Sequence, residues 1–103
     1  MVTKLSILFL FAISLSVKGT EKKPLLVQGH AHNDYYHKRP LEDALECFFC
    51  SIEVDVFLKD GKFLVGHDRV ELREDRTLEG LYLGPLKKRV LDGKGYVYEE
   101  KKR

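Results

Sequence analysis

The sequence predicts an α/β protein, and three observations support this fold class. A short aliphatic run closed by glycine, "PLLVQG" at 24–29, suits a buried strand of the parallel type. Apolar residues then recur at helical spacing, at Leu41, Ala44, Leu45 and Phe48. After them Ile52, Val54 and Val56 alternate with Glu53, Asp55 and Phe57, which is the period of a strand. Strand, helix and strand in that order open a βαβ unit, whose parallel strands need a crossover helix.

Taken in order, the chain begins with a segment unlike the rest. Met1 to Lys4 carry one basic side chain, and Leu5 to Val17, "LSILFLFAISLSV", carry no charge; Ser14, Ser16 and Gly19 follow as small residues near a cleavage-type site. This pattern predicts a secretory signal peptide over 1–19 and a secreted protein. Thirteen uncharged residues fall short of the ~20 that a spanning helix needs, so no stable transmembrane anchor is expected.

The domain is expected over 20–98. Pro40 sits where a first helical residue would, which predicts a helix from Pro40 to about Phe49. Asp60-Gly61 between "SIEVDVFLK" and "KFLVG" predicts a hairpin turn. "RTLEGLYLGPLKKRVL" reads as loop and then helix from about Pro85, and 99–103 as a charged tail. A length of 103 residues suffices for one small domain. The formal net charge is only +2 and basic residues are interleaved with acidic ones, so nothing points to nucleic acid as a partner.

Chemistry concentrates in two places. "GHAHNDYYHKRP", at 29–40, gathers His30, His32 and His37 with Asn33 and Asp34 at the end of an apolar strand. Such groups are costly to bury unpaired, so the segment is either a wet loop or the lip of a site. Glu53 and Asp55, at i and i+2 of a strand, share one face with Cα atoms about 6.6–7 Å apart. They could lean onto one hard cation such as Mg²⁺ or Ca²⁺, although an acidic strand face in water looks the same. His67 tilts the reading, because it ends the hairpin as His30 ends the first strand. Ligands of α/β sheets bind at the carboxyl ends of strands. Two imidazoles and two carboxylates there are the parts for metal-assisted acid–base chemistry.

"GHAHNDY", "PLEDAL", "SIEVDVFLKDGKFLVGHD" and "TLEGLYLGPL" together resemble the phospholipase C-like phosphodiesterase superfamily. Within it the chain is most similar to the altered inheritance of mitochondria protein 6 family, related to glycerophosphodiester phosphodiesterases and sphingomyelinase D-type lipases. The resemblance covers about Leu25 to Val97. It implies a (β/α)₈ TIM barrel that hydrolyses phosphodiesters, including phospholipid head groups, with a divalent metal and two histidines. Glu53 and Asp55 would be metal ligands, and His67 one of the catalytic acid–base pair. The other is His30 if the segment is read as in sphingomyelinase D-like members. It is His32 if read as in phosphoinositide phospholipases, which also makes Asn33 a metal ligand. Asp34, Tyr35, Tyr36 and His37 carry no assignment and read as loop residues, with Tyr35 packing on the first helix.

Such a barrel takes about 250 residues, whereas 84 follow the leader. The expectation is therefore an incomplete, N-terminal part of the barrel, inactive when expressed alone. The rival function is a non-catalytic secreted module that binds phosphate or lipid head groups. Cys47 and Cys50, in "CFFC", read either as small buried hydrophobes at a helix end or as a disulfide.

Overall fold

A computed structural model describes residues 3–11 and 24–98. The chain is mixed α/β, a four-stranded sheet with two α-helices. Strand β3 (Phe49–Lys59) is its axis. Strand β2 (Leu26–Ala31) runs parallel to it, with His30 opposite Ser51 and Ala31 opposite Ile52. Helix α1 (Glu42–Glu46) is the crossover between them. Strand β4 (Lys62–Val65) folds back antiparallel on Val56–Lys59. Asp60 and Gly61 form the turn, both at positive φ (49° and 77°), as two-residue hairpins of matching twist require.

The opposite edge of β3 carries β1 (Lys4–Leu10), antiparallel, with Ser6 opposite Asp55 and Leu8 opposite Glu53. This stretch lies in the segment expected to be a leader, to which sequence reading gave no place in the fold. Because it is apolar on both sides, Ile7 and Phe9 pack against the core while Leu8 and Leu10 stay exposed. Ser14, Ser16, Gly19 and the tail 99–103 lie outside the described residues.

The alternation of β3 sorts its two faces. Ile52, Val54 and Val56 are fully buried against Ala44, Leu45, Leu78 and Tyr82. Ser51, Glu53 and Asp55 therefore point to the other face, together with Ser6 and His30. Gly29 lies within the register shift of β2, where the ring of Phe49 covers it; a Cβ there would stand 2.5 Å from the ring. Only glycine lets the two strands approach so closely just before His30.

Two helical expectations need correction. The first helix spans Glu42–Glu46 and not Pro40–Phe49. Leu41 takes φ 67° and ψ −53°, and Glu42 N–H bonds Pro40 C=O at 2.8 Å, so a γ-turn stands where helix was expected. At the other end Phe48 is left-handed (φ 62°) and turns the chain directly into β3. The second helix, α2 (Gly84–Asp92), starts beside Pro85 as expected, but a π-helical turn at Glu79–Leu83 precedes it. Its Tyr82 is completely buried and stacks on Phe9 at 6.1 Å. Cys47 and Cys50 are not bonded to each other, so a disulfide within the "CFFC" run is not met; Cys47 is exposed and Cys50 buried. Among the described residues no helix is long and apolar enough to cross a membrane.

Candidate functional site

The polar face of β3 holds two adjoining clusters, one on each carboxylate. Asp55, almost fully buried, accepts hydrogen bonds from Ser6 Oγ at 2.5 Å and from Tyr35 Oη at 2.9 Å. Lys4 Nζ lies 3.1 Å from its Oδ2, and His67 Nδ1 3.2 Å. The Tyr35 hydroxyl is also 3.2 Å from His67 Nδ1 and 3.0 Å from Asn33 Oδ1. A phenol has one proton, which goes to the charged carboxylate; its lone pairs can then accept from the ring Nδ1–H. In that arrangement Nδ1–H of His67 is held by Asp55 and Tyr35, leaving Nε2 for chemistry.

His67 is aimed by its own loop. Gly66 N–H bonds Asp55 C=O at 3.1 Å, and His67 N–H bonds Glu71 Oε2 at 2.7 Å. Glu71 closes a capping box with Asp68 and accepts from Tyr36 Oη at 2.7 Å. The Tyr36 ring in turn lies 6.3 Å from that of His67.

Electrostatics follow from these partners. Burial raises the Tyr35 phenol well above its ordinary range, and the Asp55 carboxylate raises it further, so it remains a donor. For Asp55, burial pushes upward, but hydrogen bonds from Ser6, Tyr35 and Lys4 outweigh it and hold the carboxyl below its usual range. The hydrogen bond to Glu71 pushes Tyr36 up to about 12. A depressed carboxyl stabilises the fold above the unfolded value, ~3.9, and that contribution is lost as pH falls through the folded value. Asp55→Asn is therefore expected to be less stable than the parent at neutral pH. The difference should close below about pH 4. Thermal denaturation across pH checks this, and a gap that persists in acid contradicts it.

The second cluster centres on Glu53. Its Oε1 lies 3.1 Å from His32 Nδ1, and His30 Nδ1 lies 2.7 Å from Ser51 Oγ. Ligand atoms of His30, His32 and Glu53 all come within 4.8 Å of one another, an arrangement that could hold a metal ion. A groove of about 520 Å³ runs alongside, with Ser51, Glu53 and His30 among its lining. The oxygen-only set Glu53, Asp55 and Asn33 is not assembled in this arrangement. Asp55 and Asn33 share the Tyr35 hydroxyl, while Glu53 is turned to the histidines. The donors that do come together therefore fit a metal through two nitrogens and one carboxylate.

Sequence reasoning passed over Tyr35 and Asp34, and both need correction as loop residues. Tyr35 is buried and joins the two strand ends at the site, though its ring does pack within the core that includes Ala44 and Leu45. A tyrosine buried next to a polar run must find a partner for its hydroxyl, and that was the available signal. Asp34 is fully buried and accepts from Leu41 N–H at 2.6 Å and Tyr82 Oη at 2.7 Å. His37 Nδ1 approaches it at 3.3 Å, outside both clusters. Ser51 shares the parity of Glu53 and Asp55 and was legible from that spacing.

A family model described as the AIM6-like phosphodiesterase domain matches residues 20–102. The chain is 40% identical over 75 residues to Altered inheritance of mitochondria protein 6 of Eremothecium gossypii, covering 71% of this chain and 19% of that protein. It is 41% identical over 63 residues to a homolog of that protein in Arthroderma benhamiae, covering 55% and 20%. To the Saccharomyces cerevisiae protein of the same name it is 46% identical over 59 residues, covering 55% and 15%. The chain thus spans a fifth or less of the length of these relatives. No solved structure gives a match. With a family model covering most of its length, the chain belongs to the AIM6-like phosphodiesterase family.

Proposed function

We propose that this chain carries the N-terminal part of a secreted phosphoric diester hydrolase acting on lipid-type phosphodiesters, with His67 as a general acid–base. The observation that carries the reading is the seating of His67 Nδ1 on Asp55 and Tyr35, 3.2 Å from each, next to the Glu53 cluster. Membership of a phosphodiesterase-like family supports the reaction class. The lipid-type substrate is supported by the likeness to glycerophosphodiester phosphodiesterases and sphingomyelinase D-type lipases. The parallel β2–α1–β3 unit is what a (β/α)₈ barrel begins with.

His67 Nε2 would take the proton of an attacking hydroxyl or water, or return one to the leaving alcohol as its bond to phosphorus breaks. Asp55 and Tyr35 keep the ring in one orientation and favour the imidazolium formed on the way. A divalent cation held at Glu53 would neutralise the non-bridging phosphate oxygens. In a barrel the next parallel strand takes the β3 edge that β1 occupies. Loss of the leader would open that edge and remove Lys4 and Ser6 from Asp55, leaving Tyr35 and His67.

The test places residues 24–98 in the matching segment of the Eremothecium gossypii relative and measures turnover of bis(p-nitrophenyl) phosphate with added divalent metal. Metal-dependent hydrolysis is expected from the chimera, and none above background from the 103-residue chain. A folded chimera that binds a phosphodiester without turning it over would replace this reading with that of a binding module.

A further inference from the structure

The cluster at Glu53 differs in kind from the oxygen-only set that the resemblance implies. Its donors are two imidazoles and one carboxylate, on His30, His32 and Glu53. Imidazole ligands favour zinc, cobalt, nickel and copper, whereas Mg²⁺ and Ca²⁺ take oxygen. We infer that His30, His32 and Glu53 form a site for a borderline transition metal of the zinc class. This deepens the hydrolase reading above: both histidines become ligands, and proton transfer falls to His67.

Three features of the molecule support the assignment. The first is spacing: zinc bond lengths put tetrahedral ligands about 3.3 Å apart. His32 and Glu53 already approach at 3.1 Å, and the set as a whole is within 4.8 Å. His32 is an exposed side chain that can turn through the remaining distance without disturbing the core. A second is orientation, since His30 Nδ1 is tied to Ser51 Oγ at 2.7 Å, an outer contact that leaves Nε2 for the metal. Last, the site opens on the groove beside β3, and three protein ligands with an open position are the pattern of catalytic and not of structural zinc. Asp55 stays outside, its Oδ2 engaged by Tyr35 and His67.

The probe is Co²⁺ alone, titrated into the untagged 103-residue chain after chelator treatment and followed by its visible d–d absorption. No turnover is needed, so failure of the hydrolase reading leaves this result standing, and the reverse also holds. One equivalent should bind, be displaced by Zn²⁺, and resist a large excess of Mg²⁺ or Ca²⁺. His30→Ala, His32→Ala and Glu53→Gln should each weaken binding at least about 10–100-fold, the loss that even outer-shell changes bring. Circular dichroism should be unchanged in these variants. His37→Ala should bind as the parent does. Cys47→Ser should also keep the signal, which separates this site from the thiols of the "CFFC" run. Parent-like binding by either His30→Ala or His32→Ala would overturn the inference. So would loss of the signal in His37→Ala or Cys47→Ser, or displacement of Co²⁺ by Mg²⁺ as readily as by Zn²⁺.

Discussion

Asp34→Ala is expected to abolish cooperative folding of the domain. The Asp34 carboxylate is fully buried and receives Leu41 N–H at 2.6 Å and Tyr82 Oη at 2.7 Å, both themselves buried. Alanine leaves two interior donors without an acceptor, at ~1–3 kcal/mol each. Leu41 also sits in a rarely populated backbone region, φ 67° and ψ −53°, whose cost persists only where surroundings over-determine it. The bond from Leu41 N–H is one of those determinants. A total loss of about 3–5 kcal/mol would consume most of what a domain this small can hold. Tyr82→Phe is the graded control: it removes a donor together with its bond, strands no N–H, and should cost about 1.5–3 kcal/mol, the usual worth of a bond to a charged group. Urea denaturation followed by circular dichroism reads both. Asp34→Ala within about 1 kcal/mol of the parent would show that this buried network does not support the fold.

His67→Ala, made in the chimera described above, should lower turnover by about 10²–10⁴-fold, the usual effect of removing a positioned general acid or base. That corresponds to ~2.7–5.4 kcal/mol of transition-state stabilisation. The loss should fall mainly on kcat, because the ring contributes most when a proton is in flight. His67 is well placed for such a large effect: its side chain is 43% exposed toward solvent while Nδ1 is anchored on a nearly buried carboxylate. His37→Ala should change turnover little. Its Nδ1 lies 3.3 Å from Asp34 Oδ1, and the ring joins neither the Asp55 nor the Glu53 cluster. Equal losses at both positions would mean that the acid–base group has been misplaced.

The elements that local rules govern were legible in the sequence. Ile52, Val54 and Val56 announced a strand with one buried face, and all three are fully buried. Asp60-Gly61 announced a two-residue turn because glycine and aspartate tolerate positive φ, and Pro85 marked a helix start. The helix expected from Pro40 failed at its first turn. Its spacing was helical, but the Asp34 side chain captured Leu41 N–H, and no local rule contains a partner seven residues away. Lys4–Leu10 pairs with β3 in this structure, where sequence reading assigned no fold element, since an apolar run reads alike as a leader or as a strand along an open sheet edge.

By itself the sequence determined the α/β order of elements, the face shared by Glu53 and Asp55, the family, and the stock of histidines near the strand ends. Those properties depend on periodicity and residue type, which survive without coordinates. Only the tertiary structure decided how the stock was divided. Spacing of i and i+2 puts two carboxylates on one face but does not say which neighbours lean on each. Packing of β1, β2 and β4 around β3 seated His67, Tyr35, Lys4 and Ser6 on Asp55, and turned His30 and His32 to Glu53. It also buried Tyr35, because a hydroxyl inside the protein is tolerable only where strands distant in sequence bring it an acceptor.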